Sequence, residues 1–342
     1  MIYQKILRKE VTHLNSCIDV SFKNAVKFLK KNDNYIILTH ASPDGDTLGS
    51  GYALYYGLKQ LGKQVEVICP DVIPQEYSYF LCDTDHISRD GATLIAVDIA
   101  DKRLLGALEE DFGDVIDLNI DHHISNTRYA KSLYLDADAS ATCEIIYEIL
   151  SALKVKINDT IAKAIYTGIS TDTGCFKYSC VTARTHKIAA ALYSYNIEAD
   201  VINKVMFDTK SKALLSLERM VLDTAEYHFD DKCMIVTVTA EMLKATGCKG
   251  TQLEGITNIS RSVDGVLAGV TIKQTGDDTY KVSVRTYEPL NASQICVSLG
   301  GGGHKNAAAV ILRGSLNEVK EKILNAIKRQ MEETNAWTSA AR

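Results

Sequence analysis

Four runs rich in β-branched and aliphatic residues punctuate the first half of the chain: 35–40 (YIILTH), 64–69 (QVEVIC), 93–100 (TLIAVDIA) and 115–123 (VIDLNIDHH). Stretches with helical apolar spacing lie between and after them, at 47–61, 101–110, 142–153 and 159–171. Near-continuous apolar runs are what strands covered on both faces look like, and their alternation with helices is the pattern of a doubly wound, mostly parallel α/β sheet. From about 184 to 225 the spacing is helical with no strand signal, and its later part reads as a connector. After 226 the pattern changes to hairpins, HFDDKCMIVTV with an Asp-Asp turn and VLAGVTIKQTGDDTYKVSVRTY with a Thr-Gly-Asp-Asp loop, closed by a helix at about 315–333. This half reads as a smaller α+β domain.

The chemistry lies where charged residues end the apolar runs. The first run ends in His40 and continues into Asp44-Gly-Asp46; the third reaches Asp98; the fourth ends in Asp121-His122-His123. Asp172 follows the helical stretch 159–171. In an open α/β sheet, ligands bind outside the carboxyl ends of the strands, so these side chains are expected on one rim. Each has a plainer reading. Pro-Asp-Gly-Asp is a turn sequence, Asp98 can cap a helix, and adjacent histidines are common enough. Asp172-Thr-Gly also invites an aspartic-protease reading, but that dyad needs two carboxylates sharing a proton. Joint placement favours the metal reading: converging carboxylates repel unless cations sit between them. His40, Asp44, Asp46, Asp98, His122 and Asp172 suit two hard or borderline divalent cations, Mn²⁺ or Mg²⁺ rather than a thiolate-seeking metal. Such a pair activates water and clamps a phosphoryl group.

The second half supplies a different chemistry. Gly300-Gly-Gly302-Gly303-His304 precedes an alanine run, and Arg285 ends KVSVR. Four glycines can be a flexible loop and the arginine an ordinary exposed one, yet Gly-rich N–H donors beside a guanidinium also cradle an anion. Charge agrees with that division. Residues 1–225 carry 24 Lys and Arg against 30 Asp and Glu, while 226–342 carry 14 against 13.

Composition excludes several classes. At 46% hydrophobic and 24% charged, the 342-residue chain has ample material for packed cores, and a formal charge of −5 argues against a general nucleic-acid coat. No apolar run approaches a membrane span, and residues 1–16 lack the apolar stretch of a secretory signal. Nine cysteines with no C-x-x-C pair speak against a disulfide frame or zinc finger and for a reducing cytoplasm.

Taken in order, His40-Ala-Ser-Pro-Asp44-Gly-Asp46-Thr-Leu-Gly49-Ser50, Val97-Asp98, Asp121-His122-His123 and Thr171-Asp172-Thr173-Gly174 resemble the four motifs of the DHH phosphoesterase superfamily. The Gly-rich segment ending in His304 resembles the signature of its companion DHHA1 domain. Length and plan look most like the branch of nanoRNases that are also pAp phosphatases. The resemblance covers roughly residues 20–330 and implies an extension (1–20), a DHH domain (21–195), a helical connector (196–225), a DHHA1 domain (226–335) and a tail (336–342), with a cleft between the domains. It implies one metal, most often Mn²⁺, on His40, Asp44 and Asp98, and a second on Asp46, Asp98, His122 and Asp172. A water activated by both metals would attack phosphorus. His123 would sit on the substrate phosphate, Asp121 would orient the imidazoles, and Arg285, Gly302, Gly303 and His304 would hold a terminal phosphate. The implied substrates are short oligoribonucleotides and pAp, not long duplexes, and a homodimer is compatible with the plan. Two departures bear on the substrate pocket: Ala309 stands where Gly is usual, and Cys180 where Asn is.

Competing expectations share the metal motifs. A phosphodiesterase for cyclic di-AMP or pApA is the nearest, and a long-strand exonuclease would need a more basic groove. An inorganic pyrophosphatase would carry a different second domain. A catalytically silent nucleotide-binding regulator would carry a damaged ligand set, whereas every expected ligand is present here.

Overall fold

The computed structural model describes residues 17–248 and 255–336 and divides the chain into two compact units, Met1–Thr209 and Lys210–Arg342. Most of the expected extension (1–16) and most of the tail (337–342) lie outside the described residues.

In the first unit, β1 (Ile18–Asp19), α1 (Phe22–Lys31), β2 (Tyr35–Leu38), α2 (Gly45–Gln60), β3 (Val65–Ile68), β4 (Thr93–Val97), α3 (Glu109–Phe112), β5 (Leu118–Asp121) and β6 (Ser132–Leu135) come first. They are followed by α4 (Thr142–Ala152), α5 (Asp159–Asp172), α6 (Ala183–Leu192) and α7 (Ala199–Asn203). The described strands form one sheet in the order β1-β6-β5-β4-β2-β3, with every neighbouring pair parallel. Alternate residues of each strand enter different cores. Ile37, Ile95, Val97, Leu118 and Ile120 pack with α2, α4 and α5, while Ile36, Leu38, Leu94 and Ala96 pack with Leu105, Phe112 and Ile116 on the other face. Burial on both faces explains why these strands read as apolar runs.

Three local expectations need correction. The apolar spacing at 101–110 does not make one α-helix: Lys102–Leu108 is a 3-10 segment, kinked at Gly106 with φ 54°, and only Glu109–Phe112 is α-helical. The 93–100 run stops being a strand at Val97, because Asp98 turns to a left-handed φ of 59°. The 115–123 run pairs only over Leu118–Asp121. In addition, β1 and β6 form an edge of the sheet that the apolar pattern did not announce, and β1 brings Ile18–Asp19 of the expected extension into the fold.

The second unit contains α8 (Lys212–Leu222), β7 (Glu226–His228), β8 (Cys233–Val238), α9 (Ala240–Thr246), α10 (Ile256–Ile259), β9 (Ala268–Gly276) and β10 (Thr279–Thr286). Then come α11 (Ala292–Val297), β11 (Gly302–His304), β12 (Ala307–Arg313) and α12 (Leu316–Glu333). The sheet order is β11-β12-β10-β9-β8-β7, antiparallel except between β8 and β9. Val282, Val284, Val310 and Leu312 pack against Val319, Ile323 and Ile327 of α12. Met234, Val236 and Val238 pack with Leu217 and Val221 of α8. Asp277 and Asp278 alone turn the β9–β10 hairpin, so Thr275 and Gly276 belong to the strand rather than the loop. The glycine segment is likewise not a free loop, since Gly302–His304 pairs with Ala307–Ala309. Gly303, at φ 140°, lies so close to β12 that a Cβ would meet the Ala308 Cα at 2.6 Å. Only glycine fits there.

Candidate metal centre

The carboxyl ends of β2, β4 and β5 carry the expected residues. His40 follows β2 by one residue, and its Nδ1 lies 2.9 Å from the Ala41 carbonyl, which turns Nε2 inward. Asp44 caps α2, accepting the backbone N–H of Asp46 at 3.0 Å and of Thr47 at 3.1 Å. The turn therefore does cap the helix, and the capping oxygen, Oδ1, is also the one that faces His40. Asp46 sits in the first turn of α2, fully buried, and Asp98 follows β4, 3% exposed. His122 follows β5, with Nδ1 3.2 Å from the Ala139 carbonyl. Asp172 is the last residue of α5.

Among the described residues, three groups of ligand-capable atoms gather within 4.8 Å: His40 with Asp44 and Asp98, Asp46 with His122 and Asp172, and Asp98 with His122 and His123. The first contains the three residues expected at one site, and the second contains three of the four expected at the other, without Asp98. His40 Nε2 lies 3.6 Å from Asp44 Oδ1 and 3.6 Å from Asp98 Oδ2, and His122 Nε2 lies 3.7 Å from Asp98 Oδ1. Asp98 therefore faces both histidines.

Several observations fit a cation. Among the described residues His122 Nε2 is buried without a hydrogen-bond partner, although Asp172 Oδ2 is 3.2 Å away. With Nδ1 directed at a carbonyl, a neutral His122 turns a lone pair toward carboxylates, and a positive ion between them resolves the clash. Asp172 also ends a helix, at the negative pole of its dipole, where a carboxylate is unfavourable without compensation. Without an ion, burial pushes the Asp46 carboxyl well above the usual range, with Asp98 and Asp172 adding repulsion. Burial likewise raises Asp172, against the pull of His122. Burial would lower His40 and His122, but their carboxylates win and hold both well above the usual histidine value. Asp44 is drawn down to about 2 despite its burial, by His40 and by the two backbone N–H groups.

Asp121 and His123 form a pair at the edge of the cluster, with His123 Nδ1 also 3.6 Å from Asp98 Oδ1. Asp121, fully buried, lies 2.8 Å from His123 Nδ1 and accepts the N–H of His122 at 2.8 Å. Asn126 donates to its other oxygen at 2.6 Å. Burial opposes charge on both partners, yet the bond keeps the Asp121 carboxyl below its usual range and raises His123.

Sequence reasoning missed a second layer around this centre. The N–H groups of Thr142 and Cys143, at the start of α4, donate to the two oxygens of Asp46 at 2.6 and 2.9 Å. Thr142 Oγ1 donates to Asp98 Oδ1 at 3.0 Å. Two of these three donors are backbone N–H groups, which no residue type advertises. Thr142 was the one readable clue, a hydroxyl at the start of a predicted helix.

In the second unit, Arg285 of β10 pairs in register with Ala307 of β12, which pairs with His304 of β11. His304 thus shares a register row with Arg285, with β12 between them, while Gly303 and Gly302 lie in the rows of Val284 and Ser283. The side chain of His304 lies outside what the structure describes.

Comparison with known proteins agrees with this architecture. The model of the DHH family, N-terminal domain, matches residues 34–169, and that of the DHHA1 domain matches residues 231–333. The bifunctional oligoribonuclease and PAP phosphatase NrnA of Thermus thermophilus is 31% identical over 305 residues, covering 86% of this chain and 89% of that protein. The probable bifunctional oligoribonuclease and PAP phosphatase NrnA of Streptococcus mutans is 26% identical, covering 84% of this chain and 92% of its own. An exopolyphosphatase-related protein from Bacteroides fragilis superposes with a TM-score of 0.82 over 92% of this chain and 97% of its own, at 23% identity, and so shares the fold. Among the described residues no helix is long and apolar enough to cross a membrane.

Proposed function

This chain belongs to the DHH family of metal-dependent phosphoester hydrolases and carries the DHHA1 domain, and from that premise we propose that it cleaves short oligoribonucleotides to mononucleotides and pAp to AMP. The observation that carries the reading is Asp98, which faces both histidines and takes part in two of the three ligand-capable groups. We assign two divalent cations, Mn²⁺ by preference, to His40, Asp44 and Asp98 and to Asp46, Asp98, His122 and Asp172. When bound, such ions polarise the phosphoryl group and activate water.

The chain's own residues do the rest. His40 and His122 present Nε2 because backbone carbonyls hold their Nδ1 atoms. The α4 amides and the Thr142 hydroxyl keep Asp46 and Asp98 from rotating. His123, held by Asp121, keeps a proton near the substrate phosphate, where it stabilises developing charge or protonates the leaving oxygen. Arg285, Gly302, Gly303 and His304 hold the terminal phosphate. A guanidinium fork and backbone N–H groups select a doubly charged end over a mid-chain diester. The domain division given by the resemblance is the one this reading uses. A cytoplasmic site of action and a homodimer complete the proposal; a reducing compartment suits nine thiols.

The test is parallel hydrolysis of pAp, a short RNA, a long RNA and cyclic di-AMP, with Mn²⁺ and after chelation. Cleavage of pAp and short RNA, abolished by chelation and by Asp98→Ala, is expected. Preference for cyclic di-AMP would transfer the same centre to second-messenger turnover. Metal binding without turnover of any of the four substrates would make the protein a silent binder.

A further inference from the structure

One short stretch of chain supports three of the assigned ligands at once. It runs from the end of β6 into α4, residues 136–142. Its Ala139 carbonyl receives His122 Nδ1 at 3.2 Å, and Thr142 Oγ1 reaches Asp98 Oδ1 at 3.0 Å. The Thr142 and Cys143 amides hold both oxygens of Asp46. Whatever fixes this stretch fixes the tautomer of an imidazole and the rotamers of two carboxylates.

A single guanidinium grips it from outside. Arg184, in the first turn of α6, donates through Nη1 to Asp136 Oδ2 at 2.6 Å and through Nη2 to Glu148 Oε2 at 2.9 Å. Its Nε lies 3.5 Å from Oε2 of Glu144. Glu144 is fully buried, and its other oxygen accepts the Ser140 hydroxyl at 2.5 Å; Ser140 in turn accepts the hydroxyl of Thr185 at 3.3 Å. The Arg184 fork thus joins the beginning of the stretch, at Asp136, to α4 at its end. Three carboxylates converge on one cation, so removing it leaves them to repel one another, with Glu144 uncompensated in the interior. A lysine cannot reproduce the planar fork.

We infer that Arg184 is a positioning residue for the metal centre, acting through the 136–142 stretch rather than by touching metal or substrate. The inference rests on the metal assignment above. An arginine that merely tied α6 to α4 would affect stability and nothing else.

The experiment measures Mn²⁺ affinity by calorimetry, together with the imidazole ¹⁵N shifts of His122 in chelated protein, for wild type, Arg184→Gln, Arg184→Lys and Asp136→Asn. Substitutions behind metal ligands typically cost about 10- to 100-fold in affinity. Such a loss is expected for Arg184→Gln, with partial recovery in Arg184→Lys and a His122 shift away from the Nδ1–H tautomer. In steady-state assays kcat should fall while KM for substrate stays within about twofold, since no substrate contact is removed. Arg184→Gln with Mn²⁺ affinity and His122 shifts like wild type would overturn the inference while leaving the metal centre standing. Wild type without Mn²⁺ binding would overturn both. Should Arg184→Gln not fold, Asp136→Asn carries the test: it severs only the arm to the stretch, and unchanged affinity and shifts there would be equally fatal.

Discussion

His40 and His122 each direct Nδ1 at a backbone carbonyl and turn Nε2 toward carboxylates, so without a metal the cluster favours its protonated forms. The sign of the resulting pH dependence follows from the shifts. A histidine raised in the fold contributes stability that is complete below its unfolded value of about 6.5 and is lost as pH rises through the folded value. Asp46 and Asp172, also raised, favour their protonated forms and add to the loss as pH rises above about 4. Asp44 works the other way, but its contribution disappears only as pH falls toward about 2. Chelated protein should therefore melt at progressively lower temperature from about pH 6 to pH 8, and Mn²⁺ should stabilise it more at the alkaline end, because the ion replaces those protons. Differential scanning fluorimetry with chelator and with Mn²⁺ checks this; a chelated melting temperature that rises across the window would contradict it. At this scale the sequence was informative wherever a residue type carries the chemistry, as with His40 or Asp98 at the end of an apolar run. It was silent about Ala139, whose contribution is a carbonyl that any residue owns, and about Arg184, whose partners lie 36 to 48 residues away.

Helices α2 and α5 bring Asp46 and Asp172 together, and they approach closely enough that Gly168 of α5 has no room for a side chain. A Cβ there would lie 2.2 Å from Cys143 Sγ and 2.8 Å from Asp46 Oδ1. Alanine gains up to about 1 kcal/mol of helix propensity over glycine. Forcing extra volume into a packed core costs about 1–3 kcal/mol, so the net effect of Gly168→Ala is destabilising. The displaced atoms include a metal-facing carboxylate, so Mn²⁺ affinity should fall as well. Adding Cys143→Ala relieves the sulfur contact but not the one to Asp46; stability should partly recover while metal affinity stays low. Calorimetric titration alongside thermal melts separates the two, and recovery of both together would assign the defect to packing alone. Legibility at this scale followed periodicity. The helical spacing at 159–171 appears as α5 nearly residue for residue, because its apolar face has a partner. The equally apolar 101–110 failed because Gly106 breaks the helix, and β1 and β6 are too short to show a period.

Each unit has its own hydrophobic core, and the assigned chemistry divides between them: the ligand-capable groups found among the described residues lie in Met1–Thr209, and Arg285 with the glycine segment lies in Lys210–Arg342. On that assignment the uneven charge along the chain has a reason, since carboxylates gathered for cations would make one half acidic and an anion grip would leave the other near neutral. If the division holds, substitutions in the two units must fail differently. Asp98→Asn removes the carboxylate common to both cation sites and should abolish Mn²⁺ binding and kcat together. Arg285→Ala should leave Mn²⁺ affinity as in wild type. Its loss falls on a terminal phosphate held alike in ground and transition states, which raises KM and spares kcat. A charge-assisted hydrogen bond of about 1.5–3 kcal/mol corresponds to roughly a ten- to hundredfold rise in KM for pAp. A substrate whose terminal phosphate has been removed should be nearly indifferent to the change, because it never used the guanidinium. Unchanged KM for pAp in Arg285→Ala, or equal losses on substrates with and without the terminal phosphate, would take the phosphate grip away from the second unit.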